Sequence, residues 1–203
     1  MREDPQQDRR ADIKYEDDLL LVCVKPRGVL SCKDASGKES MEDLLAPRHV
    51  YPVHRLDREV TGLMVFAKDP ATAAFLSQPE RLGKEYRATC EGCVEAEEGY
   101  LEDLLFHDRN RNKTYAVKRE RKGVKVAKLY YRVLERREGE TTVHVRLYTG
   151  RTHQIRVQFA SRGFPLKGDR KYGSQNTCPI ALEAYRLEIM HPKGHKLSFA
   201  LSE

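Results

Sequence analysis

A carboxylate flanked by two guanidinium groups is the first feature of this sequence that could do chemistry. Asp57 lies in residues 54–59, which read His-Arg-Leu-Asp-Arg-Glu, just before the apolar run 62–67. A carboxylate in a loop that leads into a core strand can be held rigidly as a nucleophile or a base. Neighbouring arginines favour its ionised form. For an isolated Arg-x-Asp segment the alternative is an ordinary surface ion pair, and these residues alone leave both open.

A second segment, residues 150–156, reads Gly-Arg-Thr-His-Gln-Ile-Arg. Its apolar spacing predicts a helix from Thr152 to Ala160, which would place His153 and Arg156 on neighbouring faces. The start of such a helix, with Arg151 beside it, suits a phosphate or a carboxylate. The alternative is a helix that only exposes basic residues to water.

A third segment, residues 84–88, reads Lys-Glu-Tyr-Arg-Ala and lies in a predicted strand. Tyr86 alternates with Glu85 and Arg87, so its side chain should point to the opposite face of the sheet. A tyrosine that faces a cleft can stack on a nucleobase and offer its hydroxyl. A tyrosine buried in the core is the commoner alternative.

The elements that must position these segments are mostly strands. Strands outnumber helices and most connections resemble hairpins, which predicts an α+β fold with a mixed, largely antiparallel sheet. Residues 1–12 are polar and contain Pro5, so we expect a tail there. The predicted strands are 19–25, 62–67, 85–90, 126–134, 141–148, 182–190 and 196–201, with short helices after Ser40 and after Asp69-Pro70.

Charge is distributed unevenly along the chain. The net charge is +6, and residues 109–137, the basic stretch, hold 12 Lys or Arg and 2 acidic residues. Residues 89–105, the acidic stretch, hold 6 acidic residues and no Lys or Arg. This pattern predicts a polarised surface, which favours a polyanionic partner such as RNA, and we hypothesise that the basic stretch contacts it. The alternative is a charged, solvated hairpin.

The cysteines and the apolar runs bear on metal and membrane binding. Cys90 and Cys93 are spaced like a zinc-binding pair, but the sequence has no second such pair, so we expect no metal site. No apolar run approaches the roughly 20 residues of a membrane span. Five cysteines and no secretory signal predict a reducing, cytoplasmic location.

Together these segments resemble the RluA-type family of pseudouridine synthases. Each motif alone is a weak signal, whereas five motifs in the family's order are specific, and the resemblance covers residues 13–201. Its motifs are residues 15–22 with Lys-Pro-Arg-Gly at 25–28, residues 54–63, residues 84–88, residues 151–156, and residues 164–169 with Tyr172-Gly173.

The resemblance implies an activity, a fold and residue roles. The reaction would be the isomerisation of uridine to pseudouridine in structured ribosomal or transfer RNA, without a cofactor or metal. The fold would be a mixed sheet in two halves, flanked by helices, with the catalytic cleft between them. Asp57 would attack the sugar C1′ or the base C6, a choice that stays open, and Arg156 would orient Asp57 and keep it ionised. Tyr86 would stack on the target base and assist proton transfer at C5, while Arg55 would help to hold the uridine out of the RNA stack. The residues expected to contact RNA are Arg55, Arg58, Lys84, Arg151, His153 and Lys171.

The chain departs from the family pattern at two places. Val60 stands where the family usually has Thr, although Thr61 keeps a hydroxyl before Gly62, and Glu183 stands where the family often has His. We expect a single catalytic domain over residues 13–203, without the S4 RNA-binding domain of many relatives, acting as a monomer. The rival interpretations are an RNA-binding protein that has kept the fold without catalysis, and an N-glycosidase that releases free uracil.

Overall fold

The computed structural model describes residues 11–202. The predicted tail, residues 1–12, lies mostly outside this range, and the first strand begins at Asp12, one residue before the predicted domain boundary. The strands are β1 (Asp12–Glu16), β2 (Leu20–Lys25), β3 (Tyr51–Pro52), β4 (Thr61–Ala67), β5 (Leu82–Glu91), β6 (Glu98–Asp108), β7 (Lys113–Val117), β8 (Val124–Arg137), β9 (Glu140–Leu147), β10 (Leu182–Met190) and β11 (Lys196–Ala200). The helices are α1 (Met41–Leu44), α2 (Pro70–Leu76) and α3 (Gln154–Ala160), with 3-10 turns at Pro79–Arg81 and Arg170–Tyr172.

The strands of the described residues form one 11-stranded sheet. Its order is β1-β2-β4-β10-β5-β9-β8-β6-β7, with β3 paired to β4 and β11 paired to β10. Within residues 11–202 the only parallel pairing of strands is between β4 and β10, where Gly62 lies opposite Ala184. The predicted α+β fold with a mixed, largely antiparallel sheet is therefore confirmed.

Local sequence signals explain most of these elements. Strands β2 and β4 are continuous apolar runs, and both lie buried inside the sheet rather than at its edge. In β9, Val143 and Val145 are fully buried, so the predicted alternation is confirmed. Helix α2 begins as expected, because the Asp69 carboxylate accepts a hydrogen bond from Thr72 N at 2.8 Å.

Strands β6 and β7 were not predicted, and β6 changes the expected charge distribution. The second half of the acidic stretch, residues 98–105, lies in β6, which pairs with β8 so that Glu102 lies opposite Lys128. Their charged groups are 3.0 Å apart, and Arg136 Nη1 is 2.7 Å from Glu97. The antiparallel pairing thus neutralises the second half of the basic stretch. The excess of positive charge remains at residues 109–125, which hold 8 Lys or Arg and 1 acidic residue.

Candidate active site

A cleft of about 1150 Å³ runs between the loop that carries Asp57, strand β5, the segment that leads into α3, and residues 168–182. The structure brings all nine site residues predicted from the sequence to its walls. They are Asp57, Tyr86, Arg156, Arg55, Arg58, Lys84, Arg151, His153 and Lys171.

The loop around Asp57 is held by hydrogen bonds on both sides. Ser31 Oγ accepts from Leu56 N at 2.9 Å and donates to Leu56 O at 2.8 Å. The carbonyl of Arg58 accepts from Gly28 N at 2.8 Å. Because the residues before and after Asp57 are both fixed, the carboxylate is presented from a rigid backbone.

Lys25, at the end of β2, also stabilises the loop around Asp57. Its side chain is fully buried and its ammonium donates to the carbonyls of Pro26, Val29 and Arg58 at 2.8, 2.8 and 3.1 Å. Burial lowers the pKa of Lys25 to about 8. All three of its donors are thus used on backbone that shapes the Asp57 loop.

Arg156, on the first turn of α3, joins two carboxylates. Its Nη1 donates to Asp57 Oδ2 at 2.9 Å, while its Nε and Nη2 donate to both oxygens of Asp169 at 2.6 and 2.8 Å. The Arg156 side chain is 8% exposed and that of Asp169 is 1% exposed, whereas that of Asp57 is 23% exposed. Burial disfavours the charged guanidinium, but the two carboxylates outweigh it and raise the pKa of Arg156. The ion pair with the buried Asp169 fixes the guanidinium of Arg156, and this guanidinium orients the carboxylate of Asp57 in the cleft.

His153 differs from the prediction, because it precedes α3 instead of lying on it. It is the N-cap residue and has a left-handed backbone, with φ of 55°, so the helix begins at Gln154 rather than at Thr152. The departure has a tertiary cause: Thr114 Oγ1 donates to Thr152 O at 2.8 Å and pulls that carbonyl toward β7.

The His153 ring lies between Tyr172 and Asp57. Its Nδ1 is 2.8 Å from the Tyr172 hydroxyl, and its Nε2 is 3.8 Å from Asp57 Oδ2. The Tyr172 hydroxyl accepts from Thr114 N at 2.8 Å, so its own proton is free to go to Nδ1, which leaves the ring proton on Nε2. Burial lowers the pKa of His153 to about 4, against the attraction of Asp57, so the ring is neutral at pH 7.

Tyr86 lies on β5 and reaches the cleft wall as predicted, opposite in direction to Glu85 and Arg87. It is 5% exposed. Burial raises its pKa, and the nearby charge of Asp57 raises it further. Lys84, two residues earlier on the same face, is half-buried, and burial lowers its pKa. Strand β5 therefore supplies an aromatic ring near Asp57 and an ammonium to the wall of the same cleft.

The remaining predicted cations lie at the rim or hold backbone. Arg55 is exposed, and Arg58 is paired with its neighbour Glu59 at 2.7 Å. Arg151 uses its Nε to donate to Val126 O at 2.9 Å. Neither Arg55 nor Arg58 forms an ion pair with Asp57 within residues 11–202; the partner of Asp57 is Arg156, distant in the sequence.

The cleft is cationic as a whole. Eight Lys or Arg residues and four carboxylates line it. Of the four acids, Asp169 is buried, Asp34 and Glu59 are exposed at the rim, and Asp57 lies between these extremes. A partly exposed carboxylate oriented by a guanidinium can attack an electrophilic carbon or accept a proton. Within the described residues, no group of His, Cys, Asp or Glu could hold a metal ion, and no helix is long and apolar enough to cross a membrane.

The sequence analysis did not assign a site role to Asp169, Tyr172, Lys25 or Ser31. Asp169 and Tyr172 lie in the last motif of the resemblance and Lys25 in the first, so position in a motif was the available signal. Nothing in the local pattern around Ser31 indicated its contact with Leu56.

Comparison with known proteins places the chain in a family. Residues 19–161 match the family model described as RNA pseudouridylate synthase. This chain belongs to the RluA-type family of pseudouridine synthases. Family members named ribosomal large subunit pseudouridine synthase D include the protein of Neisseria meningitidis, 38% identical over 218 residues that cover 93% of this chain and 57% of that protein. The Bacillus subtilis protein named uncharacterized RNA pseudouridine synthase YlyB is 33% identical, over 90% of this chain and 65% of that protein. The chain thus spans less than two thirds of the length of these relatives.

Solved structures confirm the fold. The structure titled Human RNA Pseudouridylate Synthase Domain Containing 1 superposes with a TM-score of 0.80 over 98% of this chain and 86% of that chain, at 22% identity. A second human structure, Domain Containing 4, superposes with a TM-score of 0.76 at 22% identity, over 94% of this chain and 88% of that chain. The predicted pseudouridine synthase fold is therefore confirmed.

Proposed function

We propose that this chain isomerises uridine to pseudouridine in structured ribosomal or transfer RNA, with Asp57 as the nucleophile. The observation that carries the proposal is the 2.9 Å contact between Arg156 Nη1 and Asp57 Oδ2 in a cationic cleft. The family supports the reaction class, and the position of Asp57, more exposed than Asp169 and more enclosed than the rim acids, supports its choice as the reacting group.

The reaction conserves all atoms of the nucleotide. The bond between N1 and C1′ breaks and a bond between C5 and C1′ forms, while C5 releases a proton and N1 takes one up. A carboxylate can assist by adding to C1′ as the base departs, or by adding to C6 before the base is detached. Both routes use the same oriented Asp57, and both are compatible with the site.

The neighbouring residues have roles that follow from their chemistry. Tyr86 would stack on the target base and assist proton transfer at C5; because its pKa is raised, its hydroxyl keeps its proton at neutral pH and would relay the C5 proton by passing its own proton to an acceptor. A uridine in a folded RNA must leave its stack to reach Asp57, and the exposed Arg55 at the rim would occupy the space that it vacates. Phosphates beside the flipped nucleotide would contact Arg58, Lys84, Arg151, His153 and Lys171.

Tritium release from RNA labelled at uridine C5 tests the proposal. The wild-type chain should release tritium, and Asp57→Ala should reduce the rate on the order of 10⁴-fold or more, as removal of a nucleophile does elsewhere. Asp34→Ala is the matched control, because Asp34 is a carboxylate of the same cleft that lies exposed at its rim. An Asp57→Ala variant as active as Asp34→Ala would refute the role of Asp57.

The same assay separates the rival functions. An N-glycosidase would yield free uracil, whereas an isomerase leaves the base attached to the RNA. A non-catalytic RNA-binding protein would bind RNA and release no tritium. Mapping pseudouridines in a deletion strain, with and without the restored gene, would identify the RNA and the position that is modified.

We further infer a cytoplasmic location and a monomeric state. The five cysteines are all free, and Cys93 and Cys178 are exposed, which suits a reducing compartment. Light scattering on the purified protein tests the monomer, and fractionation of the source cells tests the location.

A further inference from the structure

A second pocket of about 500 Å³ lies at the edge of the sheet, between β7, α3 and the turn at Arg170–Tyr172. Three cations line it, Lys113, Arg170 and Lys171, and its lining contains no carboxylate. Within residues 11–202, none of the three forms an ion pair with an acidic side chain. Three cations around one open pocket repel each other, so an anion bound there would be stabilised.

Two of the three cations are held in place by contacts other than ion pairs. Lys113 Nζ lies 5.4 Å from the ring centroid of Tyr172 and 5.7 Å from that of Tyr115. Lys171 Nζ donates to Asn112 O at 2.9 Å. The Tyr172 ring is itself fixed, because its hydroxyl bonds to both His153 and Thr114. Because Lys113 and Lys171 already have fixed contacts, an anion that binds there loses less free energy to ordering these two side chains.

The pocket adjoins the catalytic cleft. Arg170 and Lys171 line both cavities, so they form a shared cationic rim. The ring of Tyr172 contacts Lys113 in the pocket, and the guanidinium carbon of Arg156 lies 5.1 Å from the same ring. A strand whose uridine reaches Asp57 can therefore pass over this rim and place its backbone in the pocket.

The geometry points to a second binding site, for an RNA backbone phosphate in the pocket beside the catalytic cleft, contacted by Lys113 and Arg170. The inference rests on the proposed function, because it takes RNA as the polyanion that enters the cleft. The guanidinium of Arg170 offers the paired donors that suit a phosphate, and Lys113 offers a point charge. The site also explains why residues near the sheet edge keep their positive charge while the second half of the basic stretch is neutralised by β6.

The salt dependence of RNA binding tests this site. The probe is a single-stranded oligouridylate, and the variant is Lys113→Met with Arg170→Met, which removes two charges and keeps apolar stems. Each lost phosphate contact lowers the slope of log K against log salt by about 0.7. The double variant removes both cations of this one phosphate site, so its affinity should fall about fivefold near 0.1 M salt.

The matched control is Lys193→Met with Lys196→Met. Both lysines are exposed, neither has an acidic partner within the described residues, and they lie at β11, well away from β7 in the strand order. The control removes the same net charge, so it should retain the wild-type slope. Thermal unfolding of both variants checks that each is folded.

The turnover assay separates this site from the proposed function. The pocket variant should raise the KM for RNA in tritium release, with a much smaller change in kcat at saturating RNA. An unchanged salt slope, or a slope changed equally in the control, would overturn the site, as would a loss confined to kcat, which would indicate an effect through Tyr172 and Arg156. If the pocket binds an acidic protein partner and not RNA, the salt slope for RNA binding would likewise be unchanged in the pocket variant. If the wild-type chain releases no tritium, the proposed function fails, whatever the slopes show.

Discussion

Asp169→Ala would test whether the orientation of Asp57, the proposed nucleophile, matters separately from its presence. The substitution removes a carboxylate that is 1% exposed and that accepts from Arg156 Nε at 2.6 Å and Nη2 at 2.8 Å. Arg156 would keep one carboxylate partner, Asp57, at 2.9 Å. Asp57 would still be present, but the group that aims it would have lost two of its three anchoring hydrogen bonds.

The size of the effect follows from burial. Removing one partner of a buried ion pair costs about 3–5 kcal/mol, because the remaining charge stays buried without compensation. Since Asp57 still neutralises Arg156, we expect a loss near the lower limit, about 3 kcal/mol. A displacement of about 1 Å at the reacting group costs about 10²-fold in rate, so kcat should fall by about that factor. The KM for RNA should change little, because the Asp169 side chain is almost completely buried and cannot contact RNA.

Urea unfolding measures the loss of stability, and tritium release measures kcat and KM. Asp103→Ala is the control, because Asp103 also binds an arginine through both oxygens, Arg162 at 2.8 and 3.2 Å, and Arg162 is 35% exposed. That pair is partly solvated, but Asp103 also accepts from the buried Gln158 Nε2 at 2.8 Å, so its loss should cost about 2 kcal/mol and leave kcat unchanged. If Asp169→Ala were as active as Asp103→Ala, Arg156 would not need Asp169 to orient Asp57, and the reasoning would be refuted.

Three further predictions concern the supports of the site. Gly62→Ala should lose more than about 3 kcal/mol of stability, because Gly62 has φ of +127° and a Cβ there would lie 2.3 Å from Ala184 O. Gly139→Ala, whose Cβ would have no atom within 4 Å, should cost only about 1 kcal/mol in the same urea assay. His153→Asn, which tolerates the left-handed backbone, should flatten the pH dependence of stability. Burial lowers the folded pKa of His153 to about 4, so between pH 6.5 and 4 the folded wild type binds fewer protons than the unfolded chain. Its free energy of unfolding should therefore fall by up to about 3 kcal/mol as the pH falls through that range. Equal slopes of stability against pH for the variant and the wild type would contradict this. Lys25→Met should lower kcat for tritium release about tenfold with little change in KM, because the backbone carbonyls of Pro26, Val29 and Arg58 lose their donor. An unchanged kcat would show that the Asp57 loop keeps its conformation without Lys25.

Elements with strong local signals were predictable. Helix α2 begins where Asp69 and Pro70 predict it, since capping depends only on residues a few positions apart. The hairpin of β8 and β9 also formed as predicted, turning at Gly139, which has φ of +71°. Strand β6 was missed because its half-buried pattern is interrupted by Gly99 and by several acidic side chains, and its stability comes from pairing with β8.

Features that depend on distant contacts were not predictable. The start of α3 shifted because Thr114, on β7, binds the carbonyl of Thr152. The expected charged surface was divided because the register of β6 and β8 places Glu102 opposite Lys128. Strand register depends on the whole sheet, so no local pattern contains it.

The resemblance carried by the local motifs predicted Asp57, Tyr86 and Arg156 as catalytic residues, and the structure brings all three to one cleft, while their roles stay predictions. The contact between Asp57 and Arg156, which the resemblance implied, is not a local property. Arg55 and Arg58 are the neighbours of Asp57 in the sequence, yet Arg156, 99 residues away, makes the contact. Asp169 became part of the site for the same reason: its role depends on burial against Arg156, and burial is created by the packing of the whole chain.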